Sequence, residues 1–260
     1  MTASELREEF NLRYNNALEG APGLDTFEIS SYLTVAQEQY VKMHYDATKD
    51  PSTAFEYTEK CRRVLSALVK DVKVREPITN VLSSTTLNPL IGLTDESLFY
   101  TVADDVMYIV AETLRYNGNS SLPDRIIGGK IIKVVPTTHD EFIVSYSNPF
   151  RKPNARKAWR IDSSFTHSKL VVEIIADPSI KIQQYEARYV SQPQPIIVES
   201  FESSSDVAGL GLTINGRATE ATCRLNEFTH REIINIAVEN AVLDYRDGTL
   251  QSRMQLDSRV

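Results

Sequence analysis

Ile131-Ile132-Lys133-Val134-Val135-Pro136, Thr138-His139-Asp140-Glu141-Phe142-Ile143 and Ala158-Trp159-Arg160-Ile161-Asp162 read, in that order, as strand, short helix and strand. The first run is rich in β-branched residues and stops at Pro136, which cannot donate to a ladder. Thr138 and Glu141 stand at capping-box spacing, so a short helix is predicted through Phe142, Ile143 and Tyr146. Pro149 closes it. Towards the C-terminus, Lys169 to Ala176 and Ile180 to Tyr189 read as further strands, with turns at Ser163-Ser164 and Asp177-Pro178. Gln192-Pro193-Gln194-Pro195 then punctuates the chain, Ile196-Ile197-Val198 is expected to add a short strand, and Glu199 to Ala208 to form a mobile, serine-rich loop.

Towards the N-terminus, Val106 to Ala111 is dense in strand formers, with a short helix left open as the alternative, and Asn117-Gly118-Asn119-Ser120 signals a turn. Before about Lys70 the period becomes helical. Leu6, Phe10, Tyr14 and Ala17 share one helical face. Asp25 and Glu28 have near-capping-box spacing ahead of the stripe Ile29, Tyr32, Leu33, Ala36, Tyr40 and Met43. A third helix is expected from Ala54 through Tyr57, Cys61, Leu65 and Leu68. The last helix starts near Glu227, carries Phe228, Ile233, Ile234, Ala237, Ala241 and Val242, and is expected to end at Gly248, followed by a polar tail.

This order predicts an α+β fold: an N-terminal helical bundle, an antiparallel β-rich middle with one short helix, and a C-terminal helix. The expected divisions are 1–71 helical, 72–224 mainly β with the short helix near 138–147, and 225–260 packing back on the helical region.

With 260 residues, 42% hydrophobic and 24% charged, the chain has the composition of a folded globular protein. No window approaches the roughly 18 apolar residues of a membrane span, and the opening Met1 to Leu6 is not a signal peptide, so no membrane partner and a cytosol-like compartment are expected. Cys61 and Cys223 belong to no CxxC pair and read as buried thiols. His44, His139, His167 and His230 share no i, i+4 face, and no HExxH, GxSxG or phosphate loop occurs. No catalytic residue, cofactor or metal is therefore expected, and the chain reads as a non-enzyme. Asp104-Asp105 reads as a turn or cap in preference to a metal-binding pair.

One stretch reverses the local charge. The net charge is −7, yet Asn148 to Arg160 carries five basic residues and no acid, with Phe150 and Trp159 among them. Phe150, Arg151, Lys152, Arg156, Lys157, Trp159 and Arg160 are the candidate subunit interface, since Arg and Trp commonly anchor interfaces. Two other readings stay open: a solvated loop whose Trp tucks into the core, and nucleic-acid contact. The overall acidity disfavours tight DNA binding and suits a wall past which DNA slides.

Several blocks carry a family resemblance: Glu9 to Asn16, Ala21 to Asp25, Tyr32 to Glu38, Val135 to Phe142, Asn148 to Asn154, Arg188 to Ile197 and His230 to Val238. In this order they resemble the ring-forming neck and tail structural proteins of crAss-like phages and related short-tailed phages of Bacteroidetes. More distantly, the layout is similar to head–tail adaptors and tail tubular proteins. Tyr100 to Asp105 departs from the family pattern, which has Leu-Pro before the paired acids. The resemblance implies a homo-oligomeric ring, commonly of twelve copies, below the portal or beside neighbouring tail rings in the virion. Such a ring forms part of the channel through which genomic DNA passes non-specifically, after synthesis in the host bacterial cytoplasm. The alternative is a packaged virion cargo or a binding protein outside any ring. A closed ring needs two different complementary faces on each subunit, and the acidic N-terminal helices are the expected counterpart of the basic segment.

Overall fold

The computed structural model describes residues 1–18, 20, 22–45, 59–78, 92–94, 97–116, 130–166, 169–204 and 206–257. Its elements are α1 (Ala3–Ala17), α2 (Thr26–Tyr45), α3 (Glu59–Leu65), β1 (Val69–Val74), β2 (Leu98–Thr101), β3 (Val106–Tyr116), β4 (Lys130–Pro136), α4 (His139–Tyr146), β5 (Lys157–Thr166), β6 (Lys169–Ile175), β7 (Ile182–Ser191) and α5 (Glu227–Asp257). The fold is α+β, as the periodicity predicts. The expected turn at Asn117–Ser120 and the helix start at Ala54 lie outside the described residues.

Two compact units form. The first comprises Met1–Leu68 and Pro193–Val260, and the second Val69–Gln192. Residues 193–224, assigned from sequence to the β region, thus cluster with the helices.

In the helical unit, Thr2 caps α1 in a reciprocal box with Glu5, and Asp25 and Glu28 exchange the same pair of bonds ahead of α2. Leu6, Phe10 and Tyr14 of α1 are buried, as are Ile29, Leu33, Ala36 and Tyr40 of α2. Both helices pack on α5, where Ile233, Ile234, Ala237 and Ala241 are buried. Met43, counted in the apolar stripe, is exposed. The helix does not stop at Gly248; α5 continues to Asp257. One glycine costs about 1 kcal/mol in a helix, and Leu250, Gln251, Arg253, Met254, Gln255 and Leu256 beyond it are good helix formers.

The segment after Pro195 makes only an isolated bridge, Ile197 to Ala221, in place of the expected strand. Its backbone is claimed by side chains of α2. Ser30 Oγ accepts from Val198 N at 3.2 Å, Thr34 Oγ1 accepts from Ile196 N at 3.1 Å, and Gln37 Nε2 donates to Gln194 O at 2.9 Å. Thr26, Ser30, Thr34 and Gln37 are all buried, a polar stripe at helical spacing that serves an extended backbone. The serine-rich 199–208 segment is anchored as well: Phe201, Ser204 and Val207 are buried, and Phe201 packs tilted against Phe27 with ring centroids 5.5 Å apart.

The second unit is one seven-stranded sheet, in the order β1-β7-β3-β4-β5-β6-β2. Every pairing is antiparallel except β4–β5, which is parallel. A parallel pair needs a crossover, and α4 supplies it. β5 continues to Thr166 where a turn was expected at Ser163-Ser164; a register shift between Asp162 and Ser164 absorbs the irregularity. The turn at Asp177-Pro178 forms, with Ile180 N donating to Asp177 O at 2.9 Å.

The sheet curls on itself. Tyr100 of β2 and Tyr185 of β7 stack with ring centroids 5.3 Å apart. Five strand spacings separate β7 from β2 along the order, about 24 Å if the sheet were flat. Ile78 N also donates to Phe99 O at 2.8 Å, joining the chain just past β1 to the opposite edge strand. Inside the curl lie Leu114, Tyr116, Ile132, Val134, Ala158, Val172, Ile174, Tyr185 and Ala187.

Candidate subunit interface

The basic segment leaves α4 and returns into β5, so the parallel crossover dictates its position. Two asparagines shape it. Asn148 Oδ1 accepts from Phe150 N at 3.0 Å, and Asn148 O accepts from Arg151 N and Lys152 N, each at 3.0 Å. Asn154 Oδ1 accepts from Arg156 N at 2.9 Å, while Asn154 and Lys157 form an isolated bridge. Pro153 is buried and pins the middle. The result is a built loop with Phe150 at 94% exposure.

Of the seven residues singled out in sequence, Phe150, Arg151, Lys152 and Arg156 lie exposed on this loop and Lys157 is half-buried at its end. Trp159 points the other way. It is buried beside Phe142, Ile161 and Ile175, with Phe142 edge-on at 6.0 Å. Strand alternation explains the split: odd residues of β5 face α4, and even ones face the interior of the curl. Lys157 Nζ sits 5.7 Å from the Trp159 ring centroid, a cation–π distance.

Arg160 enters the interior. Its Nη1 donates to Glu112 Oε2 at 2.8 Å, its Nε lies 3.1 Å from Asp162 Oδ1, and Tyr185 donates its hydroxyl to the other Glu112 oxygen. Burial raises the Glu112 carboxyl above its ordinary range, and Arg160 and Tyr185 pull it only part of the way back. Arg160 is thus a structural cation.

Sequence spacing missed that α4 buries only Phe142 and Ser145 and leaves Ile143 and Val144 each 71% exposed. The signal was available in the i, i+3 pair Phe142 and Ser145, which together define the helix's inner edge. In the helical unit, a groove of about 570 Å³ runs between α2 and α5. It is lined by Phe27, Tyr32, Val35 and Leu243 and carries the carboxylates Glu28 and Asp244, with no cation among the described residues that line it. Tyr32 donates to Asp244 Oδ2 at 3.1 Å, and burial with this bond pushes its hydroxyl up to about 12.

The remaining polar candidates are structural in arrangement. Asp105 holds Lys70 and accepts from Tyr189 at 3.0 Å, while its carbonyl accepts from Gln192 N at 2.7 Å. Burial alone would raise its carboxyl, but the Lys70 and Tyr189 bonds outweigh it and hold the group below its ordinary value. Cys61 and Cys223 are both buried. Among the described residues no cluster of His, Cys, Asp and Glu could hold a metal ion, and no helix is long and apolar enough to cross a membrane.

The phage tail ring protein 3/4 family matches residues 1–253 of the chain. The chain belongs to that family. The family member is 30% identical over its whole length to "Ring protein 4/5" of Bacteroides phage crAss001, covering 99% of that protein. It is also 31% identical to "Ring protein 3" of the same phage, over 94% of this chain and 96% of the relative. Since the match runs through both compact units, the sheet with its basic loop and the helices with their acidic groove both lie within the shared sequence.

Proposed function

We propose that the chain is a structural subunit that assembles with copies of itself into a closed ring in the phage tail or neck. The ring meets the portal or a neighbouring tail ring and bounds part of the DNA ejection channel, and twelve copies is the expected number. The observation that carries this reading is full-length similarity to two proteins named as rings. The charge distribution supports it. A rigid basic loop in an otherwise acidic chain gives each copy a face unlike the rest of its surface, as head-to-tail closure requires. The net charge of −7 suits a lumen that does not retain phosphates during ejection. Synthesis occurs in the host cytoplasm, and no membrane partner is involved.

The experiment replaces Arg151, Lys152, Arg156 and Lys157 together with Gln and images virions or reconstituted assemblies. Loss of ring density with a normally folded monomer is expected. Intact rings would refute the role of the loop, and an absence of symmetric density in the unaltered particle would refute the ring itself, in favour of a packaged cargo protein.

A further inference from the structure

Among the exposed apolar side chains of the described residues, two groups lie beside charges of opposite sign. The first, a knob on α4 and the loop after it, exposes Ile143, Val144 and Phe150, with Arg151 and Lys152 next in sequence. The second is the α2–α5 groove, where Val35 and Leu243 are exposed between Glu28 and Asp244. Contiguous exposed apolar surface in a folded protein marks a contact site. From these features we infer that Phe150 of one copy seats in the α2–α5 groove of the next copy, with Arg151 and Lys152 meeting Glu28 and Asp244.

The occupant is a second copy because each feature supplies what the other lacks. The groove is large enough for an aromatic ring with flanking side chains, within the range of about 300–1,000 Å³ typical of binding clefts. Its polar groups are carboxylates, and the loop's are guanidinium and ammonium groups. The knob is preorganised, since the Asn148 and Asn154 bonds and buried Pro153 already fix its backbone, so little ordering entropy is lost on docking. The groove is also set in advance by the Tyr32–Asp244 and Asn240–Gln39 hydrogen bonds across it. Knob and groove are different patches, so the contact is heterologous and repeats from copy to copy. The inference rests on the self-assembling ring reading and names the residues that join its subunits.

Site-directed cross-linking of the full-length chain tests it. One preparation carries Phe150→Cys and a second carries Leu243→Cys; they are mixed at high concentration and treated with a short bismaleimide. A third preparation, Leu210→Cys, is the control, since Leu210 is at least as exposed as Leu243 and is not among the groove's lining residues. Several-fold more cross-linked heterodimer from the 150–243 pair than from the 150–210 pair is expected. Adding Arg151→Glu and Lys152→Glu to the knob chain should remove that excess, and adding Glu28→Lys and Asp244→Lys to the groove chain should restore it. Equal yields from both pairs, or insensitivity to the charge changes, would overturn the docking. Rings that still form by mass measurement in that case would leave the ring reading standing with a different contact; their absence would count against both.

Discussion

Arg160 on β5 and Glu112 on β3 meet at 2.8 Å although β4 lies between their strands. Both point into the curl, where strong curvature brings non-adjacent strands within side-chain reach. Asp162 and Tyr185 complete the group, so the cation and carboxylate are each held by more than one partner. An ion pair in such a place stabilises little relative to an apolar filling, but either half alone is costly.

Arg160→Met should therefore destabilise the protein by about 3–5 kcal/mol, because a buried carboxylate is left behind. Glu112→Leu combined with Arg160→Met should cost less than either single change. Urea unfolding of the four proteins in the cycle measures the coupling, and simple additivity would contradict the arrangement.

Asp105 and Glu112 have opposite linkage to pH. Asp105 is held below its ordinary value, so its contribution is present above about pH 4 and is lost as pH falls through the lowered value. Glu112 is raised, so its contribution is complete below about pH 4 and is lost as pH rises through the raised value. Asp105→Asn should flatten the acid side of a stability profile. Glu112→Gln should flatten the side above it. Identical profiles for both variants would count against these assignments.

Ser30→Ala and Thr34→Val should each destabilise by about 1–3 kcal/mol, since each leaves a buried N–H, of Val198 or Ile196, without its acceptor. Amide hydrogen exchange supplies a second readout. Protection should fall first at Ile196 and Val198, and unchanged protection there would argue against the pairing.

Cys223 should react slowly with thiol reagents at neutral pH, because burial pushes its thiol up to about 11 and the reactive thiolate is scarce. Labelling should become fast in denaturant. Rapid labelling of the native protein would show that the site is open.

The helices and most strands were legible because their signals are local. Asp25 and Thr138 cap where their spacing says they should, and β-branched runs become strands. Burial of Trp159 stays one of several open readings in the sequence, because which face of β5 meets α4 depends on the parallel crossover. Arg160 reads as one of five surface cations until curvature places Glu112 opposite it. The polar stripe Thr26-Ser30-Thr34-Gln37 gives no burial signal on its own, since its partners lie more than 150 positions away. The exposed half of the candidate interface, Phe150 to Arg156, was readable because proline, asparagine and uniform charge make a loop without reference to the rest of the chain.

The stacking of Tyr100 on Tyr185, with the bond from Ile78 to Phe99, turns the two outermost strands towards one another. A sheet left flat would offer open backbone for another chain to zip onto, and such growth has no natural end. With those edges turned towards each other, the ring contact proposed above falls to side-chain surfaces. Under that proposal, a fixed angle between such surfaces, rather than an endlessly repeatable ladder, sets how many copies complete the circle.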